Sequence, residues 1–511
     1  MKTLPSDLGS KHATELCELG VRQLARMVRE KKVSPLELAD AHIARIEAVN
    51  PVLSAVVRPL FDEARAEARA MGERLARGDG DLPPFFGVPF TAKEHLKVKG
   101  LPNTGGLVKR RHLSADEDAA PVARMRSAGF VLLGTTNVPE ALTWYETYNK
   151  VYGRTNNPYD PERTSGGSSG GEGAIIGAGG SPVGIGGDMG GSIRLPAMMC
   201  GVAGHKPSGG RIPETGAWPG ARGQLGRYKV IGPLARTVDD LRSVLPILEG
   251  PDGKDLTADA PPFRDRDFDP KKVKVYVFDD NGIMSPSDDV RRGLDDAADA
   301  LRARGCTVER WTPPHMRQSF EMWASALSEC GGPKFIDVVG DGERVDLPRE
   351  WLRMLQGKSD HIFPVVALAT LEKALSLAPG FRSKSSGLRV AMQTAIEDKL
   401  GDDGVLLCPV FHRTAPKHGL PAMAAFLGFT YSGVLNPLEL PATSVPTGFG
   451  ADGLPMGVQL AGVRLNDALT LRTAEWVEEA LGGWRPPWRS TRRPSARVEP
   501  AARRETASLL S

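Results

Sequence analysis

The sequence predicts one large α/β domain, and three observations carry that prediction. The chain has 511 residues, of which 41% are hydrophobic and 25% charged, enough to bury a large core. The stretch 273–308 reads as strand, helix and strand in turn. No linker long enough to separate two folded domains occurs before residue 485. We therefore expect one folded unit over residues 1–484 and a tail over 485–511.

Local patterns predict individual elements within this unit. The segment SPLE at 34–37 supplies a capping serine, a first-turn proline and a capping-box glutamate, which together begin a helix. A second, highly charged helix is expected from about 62 to 77, ended by a glycine. Alternating valines predict a strand at 273–277, apolar residues at helical spacing predict a helix at 290–301, and Cys306 begins another strand.

Charge and segment composition exclude several classes of partner. The net charge of +3 is small for this length, so nothing demands a nucleic-acid or membrane-surface partner. The tail 485–511 is rich in arginine, proline, serine and alanine, with Trp488 as its single aromatic residue, and we interpret it as basic and disordered. The N-terminus lacks an apolar signal core, and no apolar run reaches the roughly 18 residues of a membrane span.

The five cysteines are scattered, and no pair has the spacing of metal ligands. Small buried thiols in a reducing compartment are the simplest interpretation. The expected location is therefore cytoplasmic, with no metal and no cofactor.

The segment from Gly166 to Gly191 is half glycine, which costs backbone entropy and indicates a functional loop. It lacks the lysine of a phosphate-binding loop, and no dinucleotide fingerprint lies between a clear strand and helix. The run GGSSG at 166–170 does fit the nucleophile elbow G-x-S-x-G, with His412 or His418 as a possible base. The turn-rich approach NNPYDPERTS is not the strand that an elbow needs, so this alternative is the weaker one.

Three separated motifs resemble the amidase-signature family: GVPFTAKE at 87–94, GGSSGG at 166–171 and GDMGGSIR at 187–194. Their order and spacing match, since Lys93 lies 75 residues before Ser168 and Ser192 lies 24 after it. The likeness covers about residues 15–480, thins between 310 and 400, and is greatest to the fatty-acid amide hydrolases of type 2. WYETYNKVYGRTNNPYD, GGEG, GHKPS and the closing segment NPLELPATSVPTGFGADGLPMGVQLAG carry that closer similarity.

The resemblance implies a single domain built on a twisted mixed β-sheet with helices on both faces. It implies Ser192 as nucleophile, Ser168 as relay after a cis peptide bond, and Lys93 as the base in place of a histidine. A lysine can serve only if burial removes its charge at working pH. Taken alone, the lysine would be a surface residue and the serines turn or cap residues; the matched spacing favours catalysis.

The resemblance also implies an oxyanion hole and its supports. Its donors are the backbone amides of Met189, Gly190, Gly191 and Ser192. Ser169, Asp188 and Arg194 would support the loop, the last two as opposite charges. One departure stands beside this region, because Gly187 replaces the usual Ser or Thr before Asp188.

Other residues are open to two interpretations. Leu142 and Trp144, with Tyr145, either line an acyl cavity or pack in the core. His95 and His205 lie inside matched motifs without a chemical role, and we interpret both as structural.

The predicted activity is hydrolysis of amides with hydrophobic acyl or aryl groups through an acyl-enzyme. The poorly matched insert at 310–400 would hold the substrate specificity. Its apolar part at 351–380 is either two amphipathic core helices or a substrate- or membrane-docking cap. The alternatives are an amidotransferase A-type subunit, which needs partner subunits and glutamine, and an inactive amidase-fold binding protein. A homodimer is possible.

Overall fold

A computed structural model describes residues 4–5, 10–78, 80–331, 334–376 and 381–489. The strands, numbered in chain order, are β1 Val56–Pro59, β2 Pro89–Lys93, β3 Val131–Thr136, β4 Tyr148–Asn149, β5 Gly153–Arg154, β6 Val183–Asp188, β7 Ala203–Lys206, β8 Val230–Ala235, β9 Lys274–Val277, β10 Thr307–Arg310, β11 Gly404–Pro409, β12 Ala442–Phe449 and β13 Pro455–Ala461. The helices are α1 Lys11–Leu16, α2 Val21–Arg29, α3 Pro35–Leu53, α4 Phe61–Arg77, α5 Ala120–Ser127, α6 Gly170–Gly177, α7 Arg194–Met199, α8 Gln224–Tyr228, α9 Val238–Leu248, α10 Asp288–Arg304, α11 Ser319–Glu329, α12 Phe335–Gly340, α13 Leu347–Leu355, α14 Phe363–Ser376, α15 Phe381–Leu400, α16 Leu420–Ala424, α17 Thr430–Gly433 and α18 Asp467–Leu481.

Eleven of the strands form one mixed sheet in the order β1-β3-β2-β6-β8-β7-β12-β13-β11-β9-β10. Strands β3, β2 and β6 run parallel to one another, as do β11, β9 and β10. The strands between these two groups pair antiparallel. Strands β4 and β5 form a separate two-stranded ribbon.

Both faces of the sheet are buried, as expected from the resemblance. Successive strand residues point to opposite faces, and here they enter different hydrophobic clusters. In β3, Leu132 belongs to one cluster while Val131 and Leu133 belong to another. In β11, Leu407 likewise packs in the first cluster and Leu406 in a third. Helices therefore cover the sheet on both sides, and the α/β prediction is confirmed.

The local patterns fold as the sequence indicates. Ser34 accepts the N–H of Glu37 at 3.1 Å, and the Glu37 side chain accepts the N–H of Ser34 at 2.8 Å, completing the capping box of α3. Helix α4 ends at Arg77 with Gly78 in a left-handed conformation. The stretch near 273–308 forms β9, α10 and β10, with β9 and β10 parallel.

The insert at 310–400 is helical and contains α11 to α15. Its apolar part forms the two helices α13 and α14, which pack together through Leu347, Val366 and Ala369. Several of its apolar side chains are exposed, among them Leu352 and Leu355. No helix among the residues given above is both long and apolar enough to cross a bilayer.

The start of the predicted tail packs against the folded unit. The guanidinium of Arg45 lies 3.9 Å from the ring centroid of Trp488, and Arg489 forms an ion pair with Glu18 at 2.8 Å. The hydroxyl of Tyr159 donates to the carbonyl of Arg485 at 2.6 Å. Residues 485–489 thus extend the unit expected to end at 484, while the remainder of the tail, 490–511, lies outside the described residues.

The topology brings two of the sequence motifs to one edge of the sheet. Strand β2 ends at Lys93 and β6 ends at Asp188, and the two strands are parallel neighbours. Because the carboxyl ends of parallel strands lie at the same edge, the side chains that follow them converge there.

Candidate active site

Lys93 lies at the end of β2 with only 1% of its surface exposed. Its Nζ donates to Oγ of Ser168 at 2.8 Å and to the carbonyl of Gly187 at 3.3 Å. Burial disfavours the charged ammonium and lowers the pKa of Lys93 to about 7, against a smaller opposite effect from the Asp188 charge. A large fraction of this amine is therefore neutral near neutral pH.

Ser168 follows a cis peptide bond from Gly167, as the resemblance implies. A β-carbon on Gly167 would lie 2.7 Å from the carbonyl oxygen of Trp144 and 2.8 Å from the carbonyl carbon of Tyr145. Only glycine fits so close to a neighbouring backbone. The Ser168 side chain is thereby fixed beside Lys93, and helix α6 begins two residues later.

Ser169 joins the two serine-bearing turns. Its N–H donates to the carbonyl of Ser192 at 3.1 Å, and its hydroxyl lies 3.3 Å from the carbonyl and 3.4 Å from the nitrogen of Gly187. Because one residue bonds to both segments, a displacement of either loop would be felt at the other. The supporting role of Ser169 stays a prediction.

Within the glycine-rich segment and its flanks, solvent reaches the chain at one loop only. From Thr164 to Cys200, every residue is buried except Met189, Gly190 and Ser192. The three exposures fall on the loop between β6 and α7, which includes the predicted nucleophile. An opening at this loop is what a substrate needs in order to reach Ser192.

The backbone amides of this loop do not all face the opening. Among the described residues, no acceptor lies within hydrogen-bonding range of the N–H groups of Met189, Gly190 or Ser192. Gly191 departs from the expectation, because its N–H donates to Oδ1 of Asp188 at 2.8 Å. Gly191 therefore helps to fold the loop, and three of the four predicted donors remain available to a ligand.

Asp188 and Arg194 form a fully buried ion pair beneath the loop, 3.0 Å apart. The carboxylate also accepts the N–H of Ile193 at 3.0 Å. Burial alone would raise the pKa of Asp188, but the adjacent guanidinium of Arg194 holds it well below its ordinary value. The pair thus stays charged and bonds to the backbone of the loop at Gly191 and Ile193, and its supporting role stays a prediction.

Two residues that the sequence analysis did not single out complete this support. The guanidinium of Arg194 donates to Oε1 of Gln459 and to Oδ1 of Asn436, each at 2.8 Å. The amide of Asn436 also donates to the carbonyl and the carboxylate of Asp188, both at 3.0 Å. Both residues lie in the closing segment that carried part of the resemblance, and polar side chains in such an apolar segment were the available signal.

A further buried acid lies in the GGEG motif. Glu172 accepts hydrogen bonds from Thr91 at 2.6 Å and from Thr136 at 2.9 Å, and none of its surface is exposed. Burial raises the pKa of Glu172 to about 8, so its carboxyl group is protonated at neutral pH. A neutral acid behind β2 adds no negative charge that would hold the proton on Lys93.

The histidines do not form a serine–histidine site. Ser168 is bonded to Lys93, while Nδ1 of His418 lies 2.6 Å from Glu146 and burial lowers the pKa of His412 to about 4. No strand precedes Ser168 in the described part of this segment. The elbow alternative therefore lacks both its base and its local structure.

His205 is buried, and both of its ring nitrogens have partners. Its ring nitrogens lie 2.9 Å from Thr443 and 3.3 Å from Asp467. His95 is buried too, but neither of its ring nitrogens has a partner among the described residues.

Aromatic side chains form a continuous row from the Ser168 turn to the exposed loop. The ring centroids of Trp144 and Phe426 are 4.9 Å apart, those of Phe426 and Phe429 are 5.0 Å apart, and those of Phe429 and Trp323 are 5.0 Å apart. We call these four residues the aromatic wall. Trp323 belongs to α11 and ends the row at the loop, because its indole N–H donates to the carbonyl of Met189 at 2.7 Å.

The two predicted pocket residues differ in their surroundings. Trp144 is 6% exposed and belongs to the aromatic wall. Leu142 is half-buried in the preceding turn, with a left-handed φ of 61°. A contact of Leu142 with substrate stays a prediction. Phe426, Phe429 and Trp323 were not singled out in the sequence, since these residues, from segments far apart in the chain, become neighbours only on folding.

The family of the chain follows from its comparison with known proteins. The family model described as Amidase matches residues 37–471, and the chain belongs to this family. It is an enzyme that hydrolyses amides.

Individual relatives are similar over nearly the whole chain. Fatty-acid amide hydrolase 2 of Homo sapiens is 37% identical over 90% of this chain and 89% of its own. An acylamidase of Rhodococcus erythropolis is 32% identical over 91% of this chain and 96% of its own. A solved structure of a fatty acid amide hydrolase superposes with a TM-score of 0.78, at 21% identity, over 93% of this chain and 87% of that one, which shows the shared fold.

Proposed function

We propose that the chain cleaves amides through an acyl-enzyme, with Ser192 as nucleophile, Ser168 as relay and Lys93 as base. The substrate carries a hydrophobic acyl or aryl group. The observation that carries this proposal is the 2.8 Å hydrogen bond between Ser168 and a buried lysine that is largely uncharged near neutral pH. The neighbouring Ser169 donates its N–H to the carbonyl of the partly exposed Ser192 at 3.1 Å.

In the first half of the reaction, Oγ of Ser192 attacks the carbonyl carbon of the amide. Its proton passes to Ser168, whose own hydroxyl proton passes to Nζ of Lys93. The carbonyl oxygen becomes negatively charged and is stabilised by the free N–H groups of Met189, Gly190 and Ser192. Glu172 stays protonated, so it places no negative charge near Lys93 that would raise the pKa of the lysine.

In the second half, the carbon–nitrogen bond breaks and the leaving amine takes the proton back from Lys93 through Ser168. Ser192 is then esterified by the acyl group. Water attacks this ester, loses its proton along the same path, and releases the carboxylic acid with Ser192 restored. One base and one relay serve both halves.

The aromatic wall supports a hydrophobic acyl or aryl group. It extends from Trp144, beside the Ser168 turn, to Trp323 at the exposed loop, and Phe426 and Trp323 are partly exposed within it. Burying an apolar chain against such rings is favourable by about 25 cal/mol per Å². Fatty-acid amides and aryl amides, the kinds of compound after which relatives are named, fit this surface.

The two alternatives make different demands. An amidotransferase subunit would act on glutamine, a small polar amide, and the aromatic wall offers it no polar partner. It would also copurify with other subunits. An inactive binding protein would not need a buried lysine bonded to a serine, an arrangement that costs desolvation energy.

The test is release of p-nitroaniline from anilides of short, medium and long acyl chains. We expect wild type to be active with a preference for longer or aromatic acyl groups. Activity should fall to background in Ser192→Ala and at least 100-fold in Lys93→Ala. A fluorophosphonate probe should label wild type and spare Ser192→Ala.

Three results would contradict the proposal. Retention of wild-type activity by Ser192→Ala would remove the nucleophile assignment. A wild-type protein that neither hydrolyses any anilide nor reacts with the probe would favour the inactive binding protein. Glutaminase activity without acyl-chain preference would favour the amidotransferase.

A cytoplasmic location is also proposed. All five cysteines, Cys17, Cys200, Cys306, Cys330 and Cys408, lie in the described part of the chain and are unpaired. Free thiols persist in a reducing compartment. Secretion of the active protein into an oxidising compartment would contradict this location.

A further inference from the structure

Trp323 connects the variable insert to the exposed loop by one hydrogen bond. Its indole N–H donates to the carbonyl oxygen of Met189 at 2.7 Å. The side chain comes from α11, more than 130 residues later in the chain. This hydrogen bond is one point at which the poorly matched insert meets the strongly matched motif.

The acceptor belongs to the same peptide group as one of the free donors. The carbonyl of Met189 and the N–H of Gly190 lie in one planar trans peptide unit, and in such a unit they point in opposite directions. A donor that fixes the carbonyl therefore fixes the direction of the N–H. With the carbonyl held against Trp323, the N–H of Gly190 points away from the insert helix.

Nothing else in the described structure holds this peptide. The N–H of Gly190 has no acceptor there, and Gly190 has no β-carbon to restrict rotation. The other ring nearby, Phe429, packs edge-on against Trp323 with centroids 5.0 Å apart and has no polar atom to offer. By contrast, the next peptide in the loop is held from below, because Asp188 accepts the N–H of Gly191.

We propose that Trp323 is a positioning residue for the oxyanion hole. Its hydrogen bond keeps the Met189–Gly190 peptide turned so that Gly190 N–H meets the developing oxyanion. This inference rests on the proposed function of the same loop and adds a residue from the insert to its machinery. It also gives the insert an influence on the rate of the reaction, separate from its influence on which acyl group binds.

The test removes the donor and keeps the ring. Trp323→Phe deletes the indole N–H, and Trp323→3-benzothienylalanine replaces only the N–H by sulfur in a ring of the same shape. Loss of one preorganised donor costs on the order of 100-fold in kcat; since here the donor is misdirected rather than deleted, we expect about a tenfold fall. KM should change less than twofold, because the donor acts on the transition state.

A matched control is present in the same insert. The indole of Trp351 donates to Oγ1 of Thr370 at 3.0 Å, a hydrogen bond between α13 and α14 that involves no residue of the loop. Trp351→Phe should leave kcat unchanged. The second-order rate of fluorophosphonate labelling should fall with kcat in both Trp323 variants, since the phosphonyl oxygen enters the same hole, and it should not fall in Trp351→Phe.

The possible results distinguish the positioning role of Trp323 from the proposed catalytic mechanism. If both Trp323 variants keep the wild-type kcat and labelling rate, the positioning role is overturned while the proposed mechanism stands. If KM rises and kcat holds, Trp323 only binds substrate, and the positioning role is again overturned. If Ser192→Ala retains activity, the proposed mechanism itself fails, whatever the Trp323 variants do.

Discussion

The imidazole of His95 lies against the backbone of Gly187. A β-carbon built on Gly187 would be 2.8 Å from Nε2 of His95, closer than such contacts occur. Burial lowers the pKa of His95 well below its ordinary value, so the ring is neutral. Lys93 donates to the carbonyl of Gly187. A change that moves the Gly187 backbone would therefore also disturb the lysine–serine pair.

The first prediction concerns this pair of residues. Gly187→Ala should push on the ring and lower the free energy of unfolding by about 1–3 kcal/mol, with loss of activity as the Gly187 carbonyl shifts. His95→Ala alone should leave a cavity and destabilise as well. The double variant should be more stable than the sum of the two effects, because each change relieves the other. Chemical denaturation of the four proteins measures the coupling.

If the two single-variant losses in the free energy of unfolding add up to the loss in the double variant, the two residues do not compete for space. Gly72→Ala is a suitable comparison, since a β-carbon there meets no atom within 4 Å. This helical substitution should stabilise slightly.

The second prediction concerns pH. With the pKa of Lys93 lowered to about 7 by burial, the neutral base becomes the major form above that pH. The value of kcat/KM should therefore rise with pH through about 7 and level off on the alkaline side. Arginine cannot lose its proton in this range, so Lys93→Arg should lose at least 100-fold activity at every pH.

Lys97→Arg serves as the control for that variant. Lys97 is partly exposed and pairs with Asp116 at 3.0 Å, so the change should leave the profile unaltered. A wild-type profile that is flat from about pH 5 to 9 would contradict a titrating lysine base.

The third prediction concerns Glu172. Its pKa is raised by burial from 4.5 to about 8, so between these values the native state holds a proton that the unfolded chain has lost. The wild-type free energy of unfolding then falls as pH rises through this window, by up to about 1.4 kcal/mol per pH unit. Glu172→Gln removes this dependence and should become the more stable protein toward pH 8. Its activity at pH 7 should stay within about threefold, because amide and protonated acid have similar size and hydrogen-bonding.

Thermal denaturation of both proteins at several pH values measures this difference. Glu117→Gln, on an exposed ion pair with Lys254 at 3.1 Å, is the surface control and should show little effect. A stability difference that does not vary with pH would show that Glu172 is ionised in the folded state.

The fourth prediction concerns the buried guanidinium. Arg194→Lys replaces a planar fork of donors by a single ammonium, which cannot reach Asp188, Asn436 and Gln459 together. We expect a loss of about 2–4 kcal/mol in the free energy of unfolding and at least a tenfold loss in kcat, as the loop loosens.

Arg302→Lys is the matched change on the surface, where Arg302 pairs with the exposed Asp299. It should alter stability by less than about 0.5 kcal/mol. Equal effects of the two arginine changes would argue against a supporting role for the buried pair.

The sequence was informative where local chemistry decides the structure. The capping box of α3, the glycine stop of α4 and the β9-α10-β10 unit follow from short-range patterns, and all three fold as expected. The spacing of Lys93 and Ser168 was informative because motifs with matched order rarely arise by chance. The 2.8 Å bond between those side chains is the geometric counterpart of that spacing.

The contacts that could not be predicted from the sequence depend on packing between residues far apart in the chain. Nothing local marks Trp323 as a neighbour of Met189, because the contact forms only when α11 folds over the loop. The hydrogen bond from the N–H of Gly191 to Asp188 was not predicted either. A motif gives the residues of a loop but not the direction in which each peptide group points. Asn436 and Gln459 were visible in the closing segment, but their partner was not.

The hydrogen bonds of Arg194 with Asn436 and Gln459 have a consequence for the nascent chain. The loop that bears Ser192 leaves the ribosome more than 240 residues before its last two supports are made. Gln459 lies in β13, which pairs between β12 and β11 and so closes the middle of the sheet. Until Asn436 and then Gln459 have been synthesised, the guanidinium of Arg194 lacks its full set of acceptors. Ser192 is therefore synthesised long before all the contacts that hold its loop can form, and we expect amide hydrolysis only after Gln459 has been made and β13 has entered the sheet.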